Sequence, residues 1–222
     1  MKHDLNECNE CRVLERCYEL DASHCQHGHE LLLPEKKSFK NINIWRAGKI
    51  KQSKVDLIKS TCAELLGLKA VVQPALVDSR CARDIKNKRL IVRKLYLQAK
   101  SRHSNSLLTI VLTSESMFNP NSAWPDAEWL GYSMADLAMT GAYYPYLIIN
   151  TSICDKDELK KVLAHEIGHA FGCLHHNPDE EHVRDESCVM NTYNDEWEFD
   201  HKRVLLGYCQ ECCIIINKNA SK

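Results

Sequence analysis

No uninterrupted apolar stretch in this 222-residue sequence approaches the length of a bilayer span; residues 31–33 and 214–216 are runs of three. A helix that crosses a membrane needs about 20 predominantly apolar residues, so no membrane span is expected. Charge of one sign is also lacking. The formal net charge is -1 and the isoelectric point near 6.8, which removes the electrostatic case for nucleic acid or an anionic membrane as partner. Residues 1–8 have neither the apolar core nor the small-residue cleavage site of a secretory signal, so a reducing, cytoplasmic setting is expected. Internal repeats and low-complexity segments are absent. What remains is 44% hydrophobic, enough to bury a core, in a length that suits one enzyme-sized domain with or without a small appendage.

Cysteine, by contrast, is abundant, with twelve in the chain. Disulfides do not persist in a reducing compartment, so these residues read as metal ligands or single buried thiols. Cys8, Cys11, Cys17 and Cys25 group near the start; Cys188, Cys209, Cys212 and Cys213 group near the finish. Cys62, Cys81, Cys154 and Cys173 are scattered and read as small buried hydrophobes. Two units follow: a polar Cys/His-rich appendage over residues 1–40 and a main domain over 41–222.

Within the main domain the pattern predicts an α+β fold. A strand is expected at 42–45, a helix at 55–66 closed by Gly67, and a strand at 70–77. Pro74 places that strand at an edge or near its end. A basic amphipathic segment at 85–98 reads as a second helix, and the nearly continuous apolar run 107–113 as a strand buried on both faces. Residues 116–128 form a loop, followed by strands near 129–134 and 143–150.

The next helix, over about 156–171, carries the chemistry. Asp155 can cap it, with Glu158 three residues on in a capping-box pattern. Leu159, Val162, Leu163 and Ile167 form its apolar stripe. His165 and His169 lie four apart, so both imidazoles leave one face and can reach one ion at about 2.0–2.1 Å. Glu166 stands beside the first of them, within reach of a metal-bound water. Gly172 can adopt the left-handed conformation that ends a helix and turns the chain, bringing His175 back as a third ligand. The whole string is His165-Glu166-Ile167-Gly168-His169-Ala170-Phe171-Gly172-Cys173-Leu174-His175. Chance placement of its five specified positions has a probability on the order of 10⁻⁴.

This string resembles the zinc motif of the metzincins, and the resemblance sharpens to the archaemetzincins. It implies a mixed twisted sheet with an active-site helix, a methionine in a tight turn beneath the metal, and a C-terminal subdomain stabilised by a second, structural zinc. Met190, in Cys188-Val189-Met190-Asn191, matches the methionine of that turn. Cys188 and the pair Cys209 and Cys212 match three of the family's four structural ligands. The fourth family cysteine falls at His176, an acceptable replacement because zinc takes Cys₃His as well as Cys₄. Cys173 and Cys213 are competitors for that place, and redox-active or merely buried thiols are the rival reading of the group. The span from His176 to Cys188 is longer than in the family and carries Asp179, Glu180 and Glu181. The likeness covers about 41–213, leaving 1–40 outside.

The ligand set implies a zinc-dependent peptidase. Three neutral histidines leave zinc its full charge and an open position, where water acquires a pKa of about 7. Glu166 would act as general base towards that water and pass the proton to the leaving amine. Tyr193 is a weak candidate to stabilise the oxyanion, a packed surface tyrosine being the plainer reading. By resemblance, extended substrate would pair with an edge strand near 129–136. Peptide or unfolded protein is the expected substrate, and a monomer the expected state. A catalytically silent, zinc-stabilised binding protein is the alternative, against which Glu166 argues, since a ligand-only site has no need of it. Hydrolysis of another amide is a third reading. The cluster Cys8, Cys11, Cys17, Cys25, His27 and His29 could hold a third zinc in a small knuckle, be unpaired thiols, or inhibit by placing a cysteine on the catalytic zinc.

Overall fold

The computed structural model describes residues 41–95, 106–121, 128–133, 145–153, 155–175, 188–191 and 206–220. The Cys/His cluster of the first 40 residues, Cys154, His176, residues 179–181 and Tyr193 lie outside the described residues.

A five-stranded mixed sheet organises the domain, with spatial order β2-β1-β4-β7-β6. The strands are β1 (Asn41–Ala47), β2 (Lys69–Leu76), β4 (Leu108–Thr113), β7 (Tyr146–Asn150) and β6 (Gly131–Ser133). β1, β2, β4 and β7 run parallel, and β6 lies antiparallel to β7 at the edge. Parallel neighbours need a crossover, and α1 (Gln52–Leu66) supplies it between β1 and β2. It stops at Gly67, whose φ of 64° an alanine would resist and whose N–H closes on Ala63 O at 3.0 Å. β2 tolerates Pro74 because it is an edge strand, as expected.

Side-chain alternation divides the sheet between two apolar layers. Leu108, Ile110 and Leu112 of β4, with Leu147 and Ile149 of β7, join Ile42 and Ile44 under the helices. There they meet Val55, Ile58 and Cys62 of α1 and Leu159, Val162, Leu163 and Ile167 of α2 (Lys156–Ala170). Val111, Tyr146 and Ile148 turn the other way and pack with Ala47, Val77, Leu90 and Met117. Being buried on both faces is why β4 reads as an unbroken apolar run.

The helix expected over 85–98 begins later: residues 92–95 are helical, and 96–98 lie outside the described residues. Asp84 Oδ1 accepts the Lys86 N–H and its carbonyl accepts the Lys88 N–H, both at 2.9 Å, and Lys88 turns through φ 55°. This side-chain-closed turn competes with helix nucleation. Leu90–Ile91 then forms a short strand, β3, parallel to β5 (Met117–Phe118). The strand expected near 129–134 is also shorter: Trp129 only bridges Met117, and regular pairing starts at Gly131.

An unforeseen helix, α3 (Gln210–Ala220), closes the described chain. Cys212 and Ile216, one turn apart, are its buried residues, and Asn219 Nδ2 donates to Phe171 O at 2.7 Å, fastening α3 to the end of α2. No helix among the described residues is long and apolar enough to cross a membrane.

Candidate metal centre

Asp155 caps α2, its Oδ1 accepting the Glu158 N–H at 2.9 Å. The other end closes with two bonds: Cys173 N–H to Gly168 O and Gly172 N–H to His169 O, both 2.9 Å, around Gly172 at φ 93°. This is a Schellman arrangement, and it reverses the chain within three residues. His175 is thereby carried back onto the face that His165 and His169 share. The three Nε2 atoms converge at separations of 3.0 Å (165–169), 2.8 Å (169–175) and 3.1 Å (165–175).

What holds those rings also fixes where their protons sit. His165 Nδ1 lies 2.9 Å from Val189 O, and His169 Nδ1 lies 2.9 Å from Cys173 O. A carbonyl only accepts, so each Nδ1 carries a proton. Burial, with the neighbouring rings adding repulsion, holds His165 well below the usual imidazole range; burial also lowers His169. Burial thus favours the neutral form of both rings, and with Nδ1 protonated the Nε2 lone pairs of His165 and His169 face each other. Lone pairs pressed to about 3 Å repel unless a cation lies between them. Tetrahedral zinc with nitrogen ligands at about 2.0–2.1 Å sets neighbouring donors about 3.3 Å apart, so the trio fits such an ion. Backbone carbonyls holding the remote ring nitrogens are the support that metal-binding histidines typically receive.

Glu166, the residue after His165 in α2, lies against Gly131 and Ser133 of the edge strand. It keeps some solvent exposure, yet protein packs densely about its carboxyl, and burial pushes the pKa up to about 7. Ser133 tempers the rise; its Oγ is buried near the carboxylate without a well-aligned hydrogen bond.

Beneath α2 lies a four-residue turn, Cys188 to Asn191, closed by the Asn191 N–H on Cys188 O at 3.0 Å. Met190 is fully buried in it, its Sδ seated where a side chain on Gly168 would stand. Tyr208 supports the same stretch of helix, its hydroxyl donating to Ala164 O at 2.6 Å. The Sγ atoms of Cys188, Cys209 and Cys212 all lie within 4.8 Å of one another. Zinc with thiolates at about 2.3 Å separates sulfurs by about 3.8 Å, so this trio also suits the ion. The Cys209 N–H donates to Cys188 Sγ at 3.3 Å, tying the two cysteines together. Cys173 packs against Cys212, reaching both its side chain and its carbonyl O (3.8 Å), though it does not join the group of three, and exposed Cys213 directs its thiol at Tyr208 O at 3.7 Å.

Gly131, Ser133, Tyr208 and Asn219 all touch the centre or its helix and were not singled out from sequence. Nothing in local spacing marks them. Tyr208 and Asn219 act across 44 and 48 residues, and Gly131 matters only for what it leaves empty.

No protein-family model and no curated protein matches the chain. Solved structures do. The archaemetzincin of Methanopyrus kandleri superposes with a TM-score of 0.60 at 19% identity, covering 86% of this chain and 100% of that one. The archaemetzincin of Archaeoglobus fulgidus, complexed with malonate, gives 0.57 at 15% identity over 79% of this chain and 99% of that one. A zinc-dependent peptidase from Methanocorpusculum labreanum gives 0.54 at 15% identity over 79% and 100%. The chain has the fold of these archaemetzincin structures.

Proposed function

We propose that this chain is a zinc-dependent peptidase. Convergence of the His165, His169 and His175 Nε2 atoms to about 3 Å, beside a carboxylate raised towards neutrality, carries the reading. The three histidines hold the metal through Nε2, oriented by the Val189 and Cys173 carbonyls. Zinc held there supplies a Lewis acid that polarises a scissile carbonyl and acidifies water. Glu166 is the general base: its carboxylate takes a proton from the attacking water and returns it to the departing amine. Burial raises the proton affinity of this carboxyl, which suits a group that must take a proton and hold it until the amine departs.

Among the described residues β6 pairs with β7 alone, and its Gly131 and Ser133 lie over Glu166. An extended peptide added along its other side would cross the metal centre, which suits main-chain recognition of peptide or unfolded protein. Cys188, Cys209 and Cys212, completed by His176, hold a second, structural zinc, so two ions per chain are expected. That site ties the Met190 turn to α3. The protein acts as a monomer, and its free thiols suit a reducing cytoplasmic compartment.

The competing reading, a silent zinc-stabilised binding protein, leaves the partly buried carboxyl of Glu166 without a purpose. Cleavage profiling on a proteome-derived peptide library, run beside metal analysis, separates the two. Wild type should cut, and Glu166→Gln should keep its zinc while losing nearly all cleavage. A wild-type protein loaded with zinc that cuts no peptide, or a Gln variant as fast as the parent, sinks the proposal.

A further inference from the structure

Gly131 stands out among the glycines for the company it keeps. A Cβ built on it would lie 2.5 Å from Glu166 Cγ, 2.6 Å from Oε1 and 2.8 Å from Cδ. All three nearest atoms belong to that one side chain. The usual reason for a glycine does not apply, because the positive-φ glycines are Gly48, Gly67 and Gly172. Alanine could therefore adopt the backbone of residue 131, and only the space is forbidden. Glycine inside a strand weakens it, and a close approach by another part of the molecule is a standing reason to keep one.

β6 and α2 thus meet with the bare main chain of Gly131 laid against the Glu166 stem. Ser133, two residues along and so on the same face of the strand, brings its buried hydroxyl to the same carboxyl. The carboxylate is walled in by the strand that ends the sheet among the described residues. We propose that Gly131 is a positioning residue for the general base: its missing side chain lets the edge strand close over Glu166 and confines the carboxylate to one location beside the metal centre. This rests on Glu166 being the base, and the experiment keeps the two claims apart.

The perturbation is Gly131→Ala in the full-length, zinc-loaded protein, with kcat, KM, zinc content and Tm measured. A carboxylate displaced by the order of an ångström should lower kcat by about 10²-fold, while KM stays within about twofold and zinc content does not change. The second arm is a stability cycle with Glu166→Ala. Gly131→Ala should lower Tm in the parent but not in the Glu166→Ala background, where the obstructing atoms are gone. Activity surviving in Glu166→Gln sinks the general-base reading itself. If Glu166→Gln is dead while Gly131→Ala keeps the parent kcat, the positioning role alone is overturned. An equal Tm loss in both backgrounds also overturns it, because the strain then lies elsewhere. Should Gly131→Ala fail to fold, the double variant decides: folding supports the contact, and failure to fold overturns it.

Discussion

Replacing Gly168 by alanine should weaken both the fold and the metal site, against the ordinary expectation for a helix. On a solvated helix the change would stabilise by about 0.8–1.0 kcal/mol, the difference in helix propensity. Here the new methyl would stand on Met190 Sδ, with Met190 Cε at 3.2 Å and Tyr208 Cε1 at 3.3 Å. Met190 is 0% exposed, so it has no free volume to swing into. Overpacking of this kind costs about 1–3 kcal/mol, and it exceeds the propensity gain through most of that range. The net loss of up to about 2 kcal/mol corresponds to a Tm drop of up to about 8 °C for a chain of this size. The displacement also reaches the metal. Val189, the neighbour of Met190, supplies the carbonyl that holds His165 Nδ1, and loss of such a support typically costs about 10–100-fold in metal affinity. Thermal unfolding and competitive zinc titration measure the two effects. Adding Met190→Ala makes room for the methyl, so the double variant should be more stable than the sum of the single losses by about 0.5–3 kcal/mol. Strict additivity, or a Gly168→Ala protein as stable as the parent with unchanged zinc affinity, refutes the reasoning.

Legibility followed the range of the interactions. α2 was readable because its signals are local: the Asp155 cap, an apolar stripe of 3.6 period, His165 and His169 one turn apart, and Gly172 where the chain must reverse. β4 was readable because burial on both faces leaves only one pattern, and the edge position of β2 followed from Pro74. In the segment 85–98 only the start misled: Asp84 closes a turn onto Lys86 first, and the helix begins at residue 92. α3 went unnoticed because its stripe is short, with Cys212 and Ile216 as its buried residues. The Cys188, Cys209 and Cys212 trio was legible only through family resemblance, since residues 21 and 24 positions from Cys188 have no local geometry in common with it. Gly131 could not be read at all. Its role is an absence of atoms, and only the strand-to-helix approach gives that absence a meaning.

The remaining expectations concern the ligands and thiols. Alanine at His165, His169 or His175 should cost one zinc together with activity, whereas Glu166→Gln should cost activity alone; metal analysis beside the peptidase assay distinguishes them. Burial raises Cys62 to about 12 from an ordinary 9.0, so the folded state resists thiolate formation that the unfolded chain permits. Its contribution is fully present below the unfolded pKa and is lost as pH rises towards the folded one, so the decline in stability above about pH 9 should be shallower in Cys62→Ala than in the parent. A parallel decline in urea titrations across that window would contradict the assignment. The fourth donor to the cysteine trio is predicted to be His176. Three thiolates leave a tetrahedral zinc one donor short, and a purely structural site does not leave that place open. Of the two nearby thiols, Cys173 touches Cys212 in the core but lies outside the group of three sulfurs, and Cys213 is directed onto Tyr208 O at the surface. His176 directly follows the proposed ligand His175, and consecutive side chains would face opposite ways if the chain is extended there, so that one could serve each ion. Zinc stoichiometry of the single variants tests this, with His176→Ala expected to weaken the second ion and Cys173→Ala and Cys213→Ala expected to retain it. Loss of the second zinc in either cysteine variant, with full retention in His176→Ala, would transfer the fourth position to that cysteine and end the case for the histidine.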